Sequence, residues 1–404
     1  MKTAVVGAGP AGLIAAATAA AGSDVTLFER NEKPGKKLYI TGKGRCNVTN
    51  LCSPREFLEK VVRNPKFLYS AIYTFTPEDT VNLIETNGVK TKTERGNRVF
   101  PASDKASDVT KALVSNAMKA GVQFVYENVV SLSRKDGLFK LVASGAEYFF
   151  DKVILACGGV SYPSTGSNGD GFKLAESMGH TVTKLYPALV PVNFCEDVKS
   201  LQGLSLKNVK VTVSDGRKSE SLFGEMLFTS RGASGPVVLS LSSLINRLDV
   251  KHVTFSIDLK PALDYDKLDK RVVSDFTKFK NKQFKNSLDE MLPKSLIPYI
   301  IDVSGINPDK PVNSVIKQER EKLVNLLKNL SFTVDSLGSI AEGIVTSGGV
   351  SVDEVNPKAM ESKLVKGLYF AGEMLDVDAL TGGFNIQIAL STGFAAGTSA
   401  SKSL

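Results

Sequence analysis

The chain has 404 residues, 42% hydrophobic and 23% charged, the proportions of a globular protein with room for two domains, or for one large domain carrying an insertion. No apolar run approaches the ~20 residues of a membrane-spanning helix without glycine, proline or charge breaking it, so no membrane association is expected and the expected location is the cytoplasm. Two histidines, and four cysteines without a CxxC pair, leave no material for a catalytic triad or a histidine-rich metal site, and no metal ligand is assigned; the net charge of +8 favours phosphates, nucleic acid or anionic substrates.

The N-terminus reads as strand, glycine turn, helix, strand, acid. Residues 2–6 (KTAVV) are apolar and β-branched, and Gly7-Ala8-Gly9-Pro10-Ala11-Gly12 follows. Residues 13–21 are alanine-rich and helix-prone, and residues 25–28 form a second apolar run ending at Glu29. This is the dinucleotide-binding pattern. Gly7 permits the tight turn, Gly9 lets backbone approach a pyrophosphate, and Gly12 lets helix pack on strand. The helix N-terminus then faces the phosphates, and Glu29 accepts from the ribose hydroxyls. Two plainer readings compete. A signal peptide is opposed by three glycines and Pro10 inside the apolar stretch and by the strand pattern that resumes after it; an ordinary glycine turn stays open at this point. Arg30, Lys33, Lys36, Lys37, Lys43 and Arg45 crowd the region just beyond, where phosphate charge would need neutralising.

Residues 34–50 (PGKKLYITGKGRCNVTN) form a long basic, glycine-rich loop, functional or mobile. Helices are expected around 54–62 and 77–87, and within 98–113, where Asp104, Ser107 and Asp108 suit capping. Residues 122–126 read as a strand, and 138–143 with 147–150 as a hairpin. A buried strand, 152–156, stops at Cys157-Gly158-Gly159, and a second glycine-rich turn, 164–172, precedes a helix at 172–178. From about Pro187 the pattern becomes short alternating strands, at 206–213, 220–228, 236–241 and 253–259, which suggests an antiparallel sheet or small barrel. Residues 264–330 turn helical and lysine-rich. There Lys278, Lys280, Lys282 and Lys285 interleave with Phe276, Phe279 and Phe284, either a nucleic-acid surface or a solvated face over core phenylalanines. At Ala341 the α/β character returns. A glycine-rich stretch (342–352) leads to a buried strand ending at Gly372-Glu373. Asp376, Asp378 and Gly382-Gly383-Phe384-Asn385 follow, and an apolar helix runs to about Ala400.

An N-terminal fingerprint combined with this late strand end is how flavoproteins hold extended FAD. The first unit takes the ADP half, and Asp376 or Glu373 reaches the ribityl and pyrophosphate region. The last helix then aims its positive end at the flavin pyrimidine, where Gly382 and Gly383 leave room. The expected fold is α/β: a Rossmann-like FAD-binding domain split in sequence (1–190 and 336–404) around an inserted β-barrel-plus-helical domain (barrel 191–260, helical 261–335).

The blocks at 35–50 (TGKGRCNVTN), 98–109 (RVFPASDKASDV), 158–172, 345–350 (VTSGGV) and 367–387 (GLYFAGEMLDVDALTGGFNIQ) closely resemble a bacterial family of NAD(P)/FAD-dependent oxidoreductases, the aminoacetone-oxidase-like or BaiN/YhiN-type flavoproteins. The resemblance covers essentially the whole chain. It implies FAD contacts at Glu29, Lys37, Gly44, Arg45, Cys46, Asn47, Gly372, Asp376 and Asn385. Gly7, Gly9, Pro10, Ala11, Gly12, Arg30, Glu373, Gly383 and Phe384 complete the candidate cofactor set. Two departures stand out: Ser230 lies where many relatives carry histidine, and Ala379 replaces a usual glycine. The activities attached to the family differ: reduction of an activated C=C bond in a steroid acid, amine oxidation, and uridine reduction in ribosomal RNA.

The function expected is hydride transfer through flavin N5 to an electron-poor C=C bond of a small molecule. With no second GxGxxG, NAD(P)H would bind transiently as the reductant. A reductase of uridine in RNA, an amine oxidase, and a non-catalytic FAD-binding protein are the alternatives. With so few histidines the accompanying proton must come from Tyr, Lys, a carboxylic acid or water. Tyr162 and Tyr186 are the candidates, and Cys46 is expected beside the flavin as a packing residue rather than a nucleophile. The insertion, about 191–335, is expected to carry substrate specificity and to cover the reacting face of the flavin.

Overall fold

Five parallel strands organise the N- and C-terminal parts of the chain. In the computed structural model, which describes residues 1–402, their order is Leu368–Phe370, Lys152–Leu155, Lys2–Val6, Asp24–Phe28 and Gln123–Val125. Residues 3–6 and 152–155 are buried throughout, the continuous apolar pattern of strands covered on both faces. The first strand is the point where strand order reverses: the chain goes to one side for the second strand and returns later on the other. In open α/β sheets, ligands bind beyond the strand carboxyl ends at such a point.

Helix Pro10–Ala19 joins the first two strands, and the final helix, Phe384–Ala400, lies along it. The approach is backbone to backbone. A Cβ on Gly393 would lie 2.4 Å from the Ala11 carbonyl oxygen, so only glycine allows this spacing. Strands Leu138–Ala143 and Ala146–Phe150 form the expected hairpin, joined by Val129–Lys135 in an antiparallel sheet. These elements belong to one compact unit, residues 1–188 with the chain from 340 onward.

Two local expectations fail in this unit. The helix predicted over 54–62 ends at Leu58, and Val61–Arg63 is a strand paired with Asp378–Ala379. Within 98–113, Arg98–Pro101 is a strand and the helix begins at Ala106, with no side chain capping it. Asp104 has a left-handed backbone (φ 55°) and turns instead to Arg45 and Lys92.

The second unit, residues 189–339, is built on a closed six-strand antiparallel barrel: Val192–Phe194, Gly232–Ser234, Ser219–Phe228, Ser205–Ser214, Thr254–Asp258 and Leu330–Leu337. The barrel therefore does not close within 191–260. Its sixth strand comes after the helical segment and is legible in its alternation, with Leu330, Phe332 and Val334 buried and Ser331 and Thr333 exposed. The strand predicted over 236–241 is helix Pro236–Ile245. Pro236 occupies the first helical turn, where its missing N–H costs nothing, and Val237, Val238, Leu241 and Ile245 bury one face at helical spacing. Helices Tyr265–Lys278, Ile297–Ser304 and Lys317–Lys328 complete the unit. Phe276 and Phe284 belong to its core, which leaves only Phe279 half-buried between Lys278 and Lys282. Among the described residues no helix is long and apolar enough to cross a membrane.

Candidate cofactor site

The glycine turn has the geometry that each glycine is needed for. Gly7 (φ 102°) donates its N–H to the Phe28 carbonyl at 2.8 Å, and a Cβ there would lie 2.5 Å from the Ala156 oxygen. A Cβ on Gly12 would lie 1.8 Å from the Gly7 oxygen, whereas Gly9 has nothing within 4 Å of its Cβ position. The space a phosphate needs is therefore open at Gly9 and closed at its neighbours. Helix Pro10–Ala19 starts at Gly9 with Pro10 in its first turn and no side-chain cap, so first-turn N–H groups such as Ala11 and Gly12 are left for a ligand.

Glu29 is buried and already engaged. Its Oε2 accepts from Ala8 N–H at 2.9 Å, and its Oε1 from the backbone and side-chain amides of Asn31 at 2.8 and 2.7 Å. A carboxylate offers about four acceptor positions, and the protein fills three. Accepting from both ribose hydroxyls, as the sequence predicts, needs the Asn31 amide to give way.

The 34–50 loop is pinned rather than free: Gly35 N–H donates to the Ala8 carbonyl at 2.8 Å. Much of its predicted charge cluster is internally paired. Arg30 meets Asp170 at 2.9 Å, Lys37 meets Glu373 at 2.7 Å, and Arg45 lies 4.2 Å over the Phe100 ring while bonding Glu94 and Asp104. Lys33, Lys36 and Lys43 are exposed. Cys46 is fully buried in a left-handed conformation (φ 58°), and burial pushes its thiol up to about 12, with a Thr41 hydrogen bond opposing in part. Beside it, the side-chain oxygen of Asn47 is buried without a protein partner.

At the end of the late strand, Gly372 (φ 69°) abuts the first helix: a Cβ there would lie 2.8 Å from that of Ala11. Its N–H donates to Thr392 Oγ1 on the final helix at 2.9 Å. Glu373 is drawn upward by burial, yet the Lys37 ammonium and the Thr346 N–H outweigh this and hold its carboxyl below the usual 4.5. Asp376 is buried, with Arg63 Nε at 3.3 Å. The final helix begins at Gly383 (φ 98°) without a side-chain cap, and Phe384 packs edge-on against Phe57 at 5.1 Å. The Asn385 side chain is committed to the protein, accepting from Ala379 N–H at 2.9 Å and donating to its carbonyl at 2.8 Å.

Both candidate tyrosines lie beside residues 341–347. Tyr162 (φ 50°) bonds Ala341 through its backbone, and Tyr186 pairs with Ser347 across a short antiparallel ladder. Ser230 is exposed in the second unit. Sequence reading missed Asn31, Ser161, Thr346 and Gln387. Gln387 is fully buried, accepting from Thr49 and Thr80 at 2.6 and 2.7 Å and donating to Phe75 O and Ser391. A buried amide inside an apolar helix is a sequence signal; Ser161 and Thr346 carry none.

The uncapped helix starts at Gly9 and Gly383, the open position at Gly9 and the orphaned Asn47 oxygen suit an extended dinucleotide. The model of the HI0933-like protein Rossmann domain matches residues 1–399. The chain belongs to that family. The HI0933-like relatives include a 3-dehydro-bile acid delta(4,6)-reductase of Clostridium scindens, 32% identical over 98% of both chains. A ribosomal RNA dihydrouridine synthase of Escherichia coli is also 32% identical, over 97% of this chain and 96% of the relative. Among solved structures, a 3-ketosteroid delta1-dehydrogenase from Sterolibacterium denitrificans superposes with a TM-score of 0.54 at 12% identity, covering 99% of each chain. The E. coli quinol fumarate reductase FrdA does so at 0.52 and 15%, covering 99% of this chain and 70% of the other. At such identities these two speak to the fold alone. The chain is an FAD-binding oxidoreductase with a Rossmann-type domain.

Proposed function

We propose that this enzyme reduces an electron-poor C=C bond of a small molecule, with NAD(P)H as a transiently bound reductant. Bound FAD supplies the hydride-carrying ring. The observation that carries the reading is the start of the final helix: uncapped at Gly383, and fixed by the Asn385 clamp on Ala379. A rigid positive helix end stabilises negative charge that develops on a ring set against it, without reorganising as charge appears. Tyr162 and Tyr186 are our candidates for delivering the proton. Cys46, with its thiol pushed up to about 12, is protonated at neutral pH and serves packing. Substrate recognition is assigned to the inserted unit, which has no nucleotide motif. The name of the Clostridium relative supports C=C reduction.

One observation favours a second reading, uridine reduction in RNA, in line with the name of the E. coli relative. The rings of Tyr69 and Tyr73 stack at 4.5 Å while 58% and 46% exposed, and Arg55 acts on Tyr73. Lys60 and Lys66 are exposed in the same stretch. Exposed aromatics among cations are what unpaired bases stack on. By contrast, the run around Lys278 has lost Phe276 and Phe284 to the core.

The test is anaerobic. The holoenzyme is bleached with NADH or NADPH, then mixed with a conjugated steroid enone or with uridine-containing RNA. Return of the flavin colour with the enone supports the first reading, and return with RNA alone supports the second. Bleaching by an amine without nicotinamide would replace both with an oxidase.

A further inference from the structure

A half-buried ion pair joins three glycine-rich segments of the FAD-binding unit. Lys37 Nζ donates to Glu373 Oε2 at 2.7 Å and to Ser161 Oγ at 2.6 Å. Glu373 Oε1 accepts the Ser161 hydroxyl at 3.0 Å and the Thr346 N–H at 2.8 Å. The two charged side chains are only 21% and 18% exposed.

Two tethers place this pair. Lys37 lies two residues beyond Gly35, which bonds the Ala8 carbonyl inside the glycine turn. Glu373 follows Gly372, which abuts Ala11 in the first turn of helix Pro10–Ala19. Both tethers end at the helix N-terminus where a dinucleotide places its pyrophosphate. An ammonium has three donors, and two are spent within the network. The carboxylate, in contrast, has protein donors on both oxygens, and a second anion facing a pyrophosphate would repel it.

We propose that Lys37 is a pyrophosphate-binding cation and that Glu373 is its positioning residue rather than a cofactor ligand. Glu373 and Ser161 fix a long side chain in one geometry before FAD arrives, so less rotamer freedom is lost on binding. Glu373 and Lys37 also cancel in charge, so the network places a donor without leaving a net charge in a half-buried site. The proposal rests on FAD binding, which extraction of the pigment tests separately, and is independent of the substrate.

The competing account is a staple that ties the 34–50 loop to the strand end and never touches the cofactor. Lys37→Met damages the protein under either account, because it strands a half-buried carboxylate without its cation. The double variant Lys37→Met/Glu373→Gln separates them. The glutamine oxygen still accepts from Ser161 and Thr346, and no unpaired charge remains. The readout is the rate at which FAD leaves the diluted holoenzyme, followed by the rise in flavin fluorescence. We expect release from the double variant to stay about 10–100-fold faster than from the natural protein, the effect of one charge-assisted hydrogen bond, and Lys37→Arg to recover part of the loss. Release at the natural rate from the double variant would overturn the proposal in favour of the staple. If that variant purifies colourless, calorimetric titration with ADP reads the same contact: weakened ADP binding supports the assignment, and unchanged binding overturns it.

Discussion

The backbone N–H of Ala8 donates to Glu29 Oε2 at 2.9 Å. One carboxylate thus holds the glycine turn in shape, and we assign the same group to the ribose of the cofactor. Glu29→Ala should speed FAD release roughly 10–100-fold, because charge-assisted bonds worth about 1.5–3 kcal/mol disappear. Retention of FAD through extensive dialysis, at the level of the natural protein, would contradict the assignment.

The crossing of the first and final helices gives a prediction about stability. Gly393→Ala puts a methyl group 2.4 Å from the Ala11 oxygen and 2.6 Å from Ile14 Cγ2, a backbone atom and a β-branched methyl that has little freedom to swing aside. Overpacking of this kind costs about 1–3 kcal/mol. A lowered denaturant midpoint with an unchanged slope is expected, and an unchanged midpoint would show that the helices separate freely.

Cys46 should be inert in the native state. With its thiol pushed up to about 12 by burial, almost no thiolate exists near neutral pH, and the side chain is out of reach of reagents. Alkylation followed by mass spectrometry should label the exposed Cys195 first, and Cys46 only after unfolding. Cys46→Ser should keep both FAD and turnover. Rapid native labelling of Cys46, or lost turnover with FAD retained, would make it a chemical participant.

His180 makes stability depend on pH. Ser362 Oγ accepts N–H bonds from Leu364 and Val365 at 3.0 and 2.8 Å, so its own proton goes to His180 Nε2 at 2.8 Å. The ring proton then sits on Nδ1, which is buried without a hydrogen-bond partner. Burial lowers the imidazole from its usual 6.5, with Glu354 opposing in part. Between the lowered native value and 6.5 the unfolded chain binds the extra proton, so stability is complete above that range and is lost as pH falls through it. Denaturant midpoints should fall more steeply below about pH 6.5 for the natural protein than for His180→Leu. Parallel curves would refute the role.

What could be read in the sequence is what repeats or punctuates. The strand–glycine–helix order at Gly7 to Gly12, the continuous apolar strands and the alternation of the barrel strands all carry a period or a breaker. Pro236 misled because Val237 and Val238 favour strands, while the proline that starts a helix also reads as a strand boundary. The sixth barrel strand was hidden by some seventy residues of helical segment before it; nothing local marks which distant strand closes a barrel. The site was half legible. Glycines and acids announce themselves by spacing, but the partners that occupy them do not. Glu29 is bound to Asn31, Asn385 to Ala379, and Lys37 to Ser161 and Glu373, each set by tertiary contact alone.

The most direct test of this account is the identity of the cofactor. The protein should purify yellow and release its pigment on acid treatment, and chromatography should identify that pigment as FAD, equimolar with the chain. The uncapped helix start and open position at Gly9 and the turn held by Glu29 suit the ADP half, and the uncapped start at Gly383 suits the flavin. Recovery of FMN, or of a folded protein that takes up no flavin when FAD is supplied, would contradict it.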